Sequence, residues 1–218
     1  MKTILCFGDS NTWGWNAEDI DPRTSLANRF PFDVRWPGIA QQLLGSGYRI
    51  IEDALNGRTT SFDDPLYADR SGLKTLPVAL ECHTPIDLLV LMLGTNDVKG
   101  TYSASAGLIS DAMDLLIRAA SVRYAGGEPP AVLLICPPVL DRGVADAIYG
   151  YEFGPDAYGK SVELTGWYKR LAERHGCHVL DANEAGVMTG TTDGVHIGPA
   201  DHDRLGRAVA KKIQAIFA

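Results

Sequence analysis

The chain has 218 residues, 45% of them hydrophobic and 22% charged, enough to bury one sizeable core and ordinary for a single domain spanning 1–218. Its formal net charge is -7 and its Lys and Arg residues are scattered, which argues against nucleic acid or an anionic membrane surface as partner and favours a small neutral or cationic substrate. The apolar start Met1 to Phe7 is cut short by Gly8 and Asp9, and the longest apolar run, Leu88 to Leu93, is too short to cross a bilayer, so a cytoplasmic protein is expected. Cys6, Cys82, Cys136 and Cys177 show no Cys-x-x-Cys spacing, and core packing explains them better than a disulfide or zinc.

In chain order, the apolar pattern predicts a strand over Thr3 to Phe7, a helix over Val34 to Leu44, a strand over Tyr48 to Asp53 and a helix over Leu73 to Cys82. A strand over Ile86 to Leu93, a helix over Ser105 to Tyr124 and a strand over Ala131 to Cys136 follow. The chain closes with a helix over Ala157 to His175, a strand over His178 to Leu180 and a helix over Ala200 to Ile216. Strands alternating with helices of this size imply an α/β fold, a three-layer α/β/α sandwich around a mostly parallel five-stranded sheet. Two of the strands are continuously apolar, as a sheet covered on both faces requires. Segments 19–31 and 140–155 read as insertions forming lids or interfaces; Phe30, Phe32, Ile148, Tyr149, Tyr151 and Phe153 in and beside them suggest surface that something must cover.

Sites in such folds lie past the carboxyl ends of the strands, which directs attention to Gly8-Asp9-Ser10-Asn11, Asn56-Gly57-Arg58-Thr59 and Gly94-Thr95-Asn96-Asp97. Ser10 at a strand end suits a nucleophile with a free backbone N–H, though a helix N-cap has the same signature. The Asn96 amide suits an oxyanion donor, and Gly57 a close backbone N–H; a plain turn accounts for either residue equally well. Near the last helix, Asp193 stands three residues before His196, so a bent loop allows it to hold the imidazole in one tautomer. His202, without such a partner, is the competing base.

These four blocks, Gly8-Asp9-Ser10, Gly57, Gly94-x-Asn96-Asp97 and Asp193-x-x-His196, occur in the order that characterises the SGNH (GDSL) hydrolase superfamily, which the chain resembles over almost its whole length. The runs Ile4 to Gly14, Leu55 to Thr60 and Met92 to Asp97 are most similar to its bacterial arylesterase and acyltransferase branch. The resemblance implies a flavodoxin-like SGNH fold, Ser10 as nucleophile, His196 as base and Asp193 as its orienter. It implies Ser10 N–H, Gly57 N–H and the Asn96 side chain as oxyanion donors, with Trp15, Thr95 and Val195 lining a small acyl pocket. It further implies no metal or organic cofactor, a homo-oligomer, and a serine esterase acting on short acyl esters of aryl or sugar alcohols, with acyl transfer to a second alcohol open. Asn11 departs from the Leu of the family name and is expected beside the substrate, where it sets pocket polarity. Two other readings use the same residues: a metal-dependent phosphoester hydrolase with Asp9, Asp97, Asp193 and His196 as ligands, and a flavodoxin-like module cradling nucleotide or phosphate.

Overall fold

Successive side chains of a strand face opposite sides of the sheet, and the first strand shows what this builds. In the computed structural model, which describes residues 1–21, 23–24 and 26–218, β1 spans Lys2–Gly8. Its Ile4 and Cys6 pack in one apolar layer while Leu5 and Phe7 pack in the other. The remaining sheet strands are β4 (Tyr48–Ala54), β5 (Leu88–Met92), β6 (Ala131–Cys136) and β7 (His178–Asp181), in the order β4-β1-β5-β6-β7 with every pairing parallel. All five β5 side chains are buried, each contributing roughly 1.5–3 kcal/mol, so this strand carries no polar alternation.

Helices α2 (Trp36–Leu44) and α7 (Pro199–Ile216) cover one face through Trp36, Ala40, Leu205, Val209 and Ile213. Helices α3 (Gly72–His83), α4 (Ala106–Ala120) and α6 (Ala157–His175) cover the other through residues such as Leu76, Ile109, Met113, Leu164 and Tyr168. This is the three-layer α/β/α arrangement that the alternating pattern predicts. Boundaries move by small amounts for local reasons. The α2 helix starts after Arg35, which is extended, and Pro37 sits in its first turn, where a missing N–H is harmless. The α4 helix stops at Ala120, four residues before Tyr124, at a cap where the Ser121 N–H turns back to the carbonyls of residues 117–119.

Segment 19–31 is not irregular throughout. Strand β2 (Trp15–Ile20) pairs antiparallel with β3 (Ala27–Arg29), forming a ribbon above the sheet edge; Pro22 and Ser25 lie outside the described residues. Arg29 anchors this ribbon by donating to the Trp13 carbonyl at 2.6 Å and to Glu52 at 3.0 Å. Segment 140–155 contains a one-turn helix, α5 (Gly150–Phe153). Phe30 and Phe153 are buried in the chain's own core, which corrects the view of this aromatic set as uniformly uncovered; Phe32, Ile148 and Tyr151 are exposed.

Because β4 lies on one side of β1 and β5 on the other, the direction of winding reverses at β1. Clefts open at the carboxyl ends of strands at such a reversal. Gly8, Ala54 and Met92, the last residues of β1, β4 and β5, lie side by side in register there or one strand over.

Candidate active site

The strand-end turn after β1 requires unusual closeness. A Cβ at Gly8 would stand 2.1 Å from the Thr12 hydroxyl oxygen and 3.2 Å from the Met92 carbonyl, so only glycine fits. Asp9 then caps the four-residue helix α1 (Ser10–Trp13), its carboxylate accepting the Asn11 N–H at 2.9 Å. Ser10 is the first helical residue, and its backbone N–H meets no protein acceptor among the described residues.

The Ser10 Oγ lies 2.8 Å from Nε2 of His196, and Nδ1 of His196 lies 2.6 Å from Oδ2 of Asp193. The other Asp193 oxygen accepts the Val195 and His196 N–H groups, each at 2.9 Å. Burial pushes the Asp193 carboxyl upward, but the His196 ring, its charge and the two N–H groups outweigh this and hold it below the usual carboxylate range. An ionised Asp193 fixes the His196 proton on Nδ1, which leaves Nε2 free to accept from the serine hydroxyl. All three side chains are screened from bulk water, with Asp193 fully buried.

Two further segments converge on the same edge. Gly57 follows β4 with φ +77°, and its N–H also meets no protein acceptor among the described residues. The Asn96 amide donates to the Arg58 carbonyl at 3.1 Å, which uses one of its two N–H groups and leaves the second. Asp97 accepts the Thr60 N–H at 2.8 Å and the Thr60 hydroxyl as well, so residues 96 and 97 together brace the 57–60 turn. From below, the Arg58 guanidinium donates to the Gly8 carbonyl at 3.1 Å and to the Asp53 carbonyl at 2.7 Å, lying 3.9 Å from the centre of the Phe7 ring. The ends of β1, β4 and β5 are thus cross-tied.

The aromatic wall comes from two separate segments. Trp15 stacks on His196 with ring centres 5.3 Å apart and an interplanar angle of 22°, and Tyr149 meets the same imidazole edge-on at 6.3 Å. A small cleft of about 30 Å³ opens beside His196, between Asn16 and Glu18 of the ribbon and Gly190 and Thr192, and Ser10 does not line it. His202 is placed elsewhere: it is fully buried, its Nδ1 accepts the Trp36 N–H at 3.3 Å, and burial, followed by the nearby Arg35 charge and His196, drives its pKa down to about 3. It ties α7 to the start of α2 and does not reach Ser10. Nor do Asp9, Asp97, Asp193 and His196 form a ligand set. Among the described residues no three His, Cys, Asp or Glu side chains are grouped to hold a metal ion, and both Asp193 oxygens are already engaged.

Residues 6–204 match the GDSL-like lipase/acylhydrolase family. The chain belongs to that family. With it comes membership of the carboxylic ester hydrolases and the SGNH hydrolase fold. Similar solved structures include a carbohydrate acetylesterase from Sinorhizobium meliloti, 37% identical with a TM-score of 0.90, covering 99% of this chain and 100% of that one. The aryl esterase of M. smegmatis is 33% identical with a TM-score of 0.89, covering 99% of each chain. A further carbohydrate acetylesterase family member from Sinorhizobium meliloti is 32% identical with a TM-score of 0.88, again covering 99% of each chain. No protein matches in a search of curated sequences.

In this GDSL-family esterase, the structure brings Ser10, His196, Asp193, Gly57 and Asn96 to one edge. Of the four residues expected around substrate, only Trp15 stacks directly on the site. Val195 packs in the layer that contains Leu140 and Val144, and the buried Thr95 hydroxyl is close enough to Asp9 to favour its charge. Asn11 is buried with its amide turned toward backbone, away from the pocket where it was expected. Tyr149 and the Thr60–Asp97 brace were not assigned site roles from sequence. Tyr149 lies in the 140–155 segment, whose aromatic content was its only signal; nothing local marks Thr60 as the partner of Asp97, 37 residues away.

Proposed function

We propose that this family member is a serine esterase that cleaves short, acetyl-type esters of aryl or sugar alcohols through an acyl-enzyme on Ser10. The observation that carries the reading is the hydrogen-bond chain from Ser10 Oγ through His196 to Asp193, at 2.8 and 2.6 Å. In the proposed reaction Ser10 Oγ attacks the ester carbonyl carbon as its proton passes to Nε2 of His196. The carbonyl oxygen becomes an oxyanion facing the N–H groups of Ser10 and Gly57 and the remaining N–H of Asn96. Collapse expels the alcohol, which takes the proton from His196 and leaves the acyl group on Ser10. Water, deprotonated by His196, then attacks the acyl carbon; the acid departs and Ser10 is restored. A second alcohol in place of water gives acyl transfer by the same proton path.

The names of the acetylesterase and aryl esterase neighbours support the choice of alcohol and acyl group. The reading takes 1–218 as one catalytic domain whose 19–31 and 140–155 segments frame the entrance. The exposed Leu66, Tyr67, Ile148 and Tyr151 support a homo-oligomer that covers them. Four free cysteines support a reducing, cytoplasmic setting; among the described residues no helix is long and apolar enough to cross a membrane. The test is covalent labelling by a fluorophosphonate together with turnover of an aryl acetate. Native protein should gain one adduct on Ser10 and lose activity, whereas folded Ser10→Ala should neither label nor turn over. Near-native turnover by Ser10→Ala would overturn the reading.

A further inference from the structure

We infer that Asn11 is a positioning residue for the general base, an inference that rests on the esterase reading of the Ser10 site. Its amide Nδ2 donates to the Val195 carbonyl at 3.2 Å, and its Oδ1 accepts the Ile197 N–H at 3.0 Å. The two bonds bracket His196, one on each side, as a neighbouring strand would pair with it. They also fix the amide orientation, because its oxygen faces a donor and its nitrogen an acceptor. All three partners are buried, so neither bond is replaced by bulk water when the side chain is removed.

The placement in the chain gives these bonds their consequence. Ser10 and His196 come from segments 186 residues apart. Among the described residues, the only hydrogen bonds joining residues 9–13 to residues 189–198 are those from Asn11 and the Ser10–His196 contact itself. The Asn11 backbone N–H is in turn held by Asp9 at 2.9 Å, so its side chain projects from a capped turn. The residue after the nucleophile therefore sets where the base stands. A leucine there offers neither bond, and the 195–197 backbone would rest on its remaining ties, the Asp193 carboxylate and the Gly190 N–H to the His196 carbonyl.

Two variants test this, with Ser10→Ala as control. Asn11→Leu should lower kcat by about 10- to 100-fold through misplacement of the base, with KM nearly unchanged and the same order of acyl preference. The downfield proton resonance between His196 and Asp193 should shift or broaden. Asn11→Asp supplies a group of the same shape that restores both bonds only while protonated, its O–H donating to Val195 and its carbonyl oxygen accepting from Ile197. Its titratable neighbours are Asp9 two residues back, Asp193 and His196. The ratio of its kcat to that of native enzyme should therefore fall as pH rises, a limb that Asn11→Leu lacks. Should Asn11→Leu fail to fold, this ratio decides alone. Native kcat and proton resonance in Asn11→Leu, an effect confined to KM or acyl preference, or a pH-independent ratio in Asn11→Asp would each overturn the inference while leaving the esterase reading intact. Turnover by Ser10→Ala would remove both.

Discussion

At the residue scale the site separates groups that react from groups that hold. On the proposed reading Asn96 does both: one amide N–H is spent on the Arg58 carbonyl, and the other is left for a charge that forms only during reaction. Asn96→Ala should therefore lower kcat by about 100-fold or more with a small change in KM, and steady-state kinetics on an aryl acetate checks it; an effect on KM alone would make Asn96 a turn residue. His202 provides the contrast. It is buried, neutral and bound to the start of α2, so His202→Ala should cost stability, on the order of 1–3 kcal/mol, while kcat stays near native. Paired melting and turnover measurements separate it from His196→Ala, which should lose turnover. Ser10, Asp193 and His196 stood out in the sequence as candidates because one follows a strand and the other two lie three residues from each other, although an N-cap and His202 competed until the order of the four blocks was considered. The backbone contacts of Asn11 were not legible, since its partners are backbone atoms more than 180 residues away and a polar side chain beside a nucleophile looks like a pocket residue.

Elements were legible where burial dictates a period. The ends of β6 and α6 fall where the pattern predicts, because apolar packing fills both to their last turn or pair. The β2–β3 ribbon was missed: Trp15 to Ile20 has no fully buried residue, so no apolar alternation announces it. Loops also obey a charge balance invisible in sequence. Asp97, which braces the 57–60 turn, and Asp9, which caps α1, are both buried; that burial drives their carboxyl pKa values up to about 6 and about 7, against the pull of their hydrogen bonds. A raised folded-state pKa means the fold binds protons that the unfolded chain has released. Stability is then greatest below the unfolded carboxylate pKa of about 4 and is lost as pH rises through the folded values. Asp97→Asn removes one of these ionisations while keeping an acceptor for Thr60, so its melting temperature should fall less than that of native protein between pH 5 and pH 8. Parallel curves for the two proteins would show that Asp97 does not contribute this slope.

For the whole molecule, topology places the chemistry. Winding that reverses at β1 brings the segments after β1, β4 and β5 to one edge, and the loop before α7 closes over them. That edge was legible because alternating strands and helices leave few ways to wind a parallel sheet. What surrounds it was less so, since the covering of a loop depends on folding partners that periodicity does not report. Phe30 and Phe153 turn inward, while Leu66 and Tyr151 remain 82% and 83% exposed. On the proposed reading these exposed side chains meet neighbouring subunits and narrow the approach to Ser10. Light scattering should then give a mass of several chains, and Leu66→Ser with Tyr151→Ser should lower it, because an apolar contact loses roughly 25 cal/mol for each Å² returned to water. Acetyl and propionyl esters should turn over much faster than octanoyl esters in the native assembly, since a narrow entrance to Ser10 rejects added methylenes sterically. If assembly is what narrows the entrance, the dissociated double variant should gain on longer esters while keeping its acetyl activity. An octanoyl preference in native enzyme would defeat the narrow-pocket reading, and an unchanged chain-length profile after dissociation would place the restriction within one chain, in the wall formed by Trp15 and Tyr149.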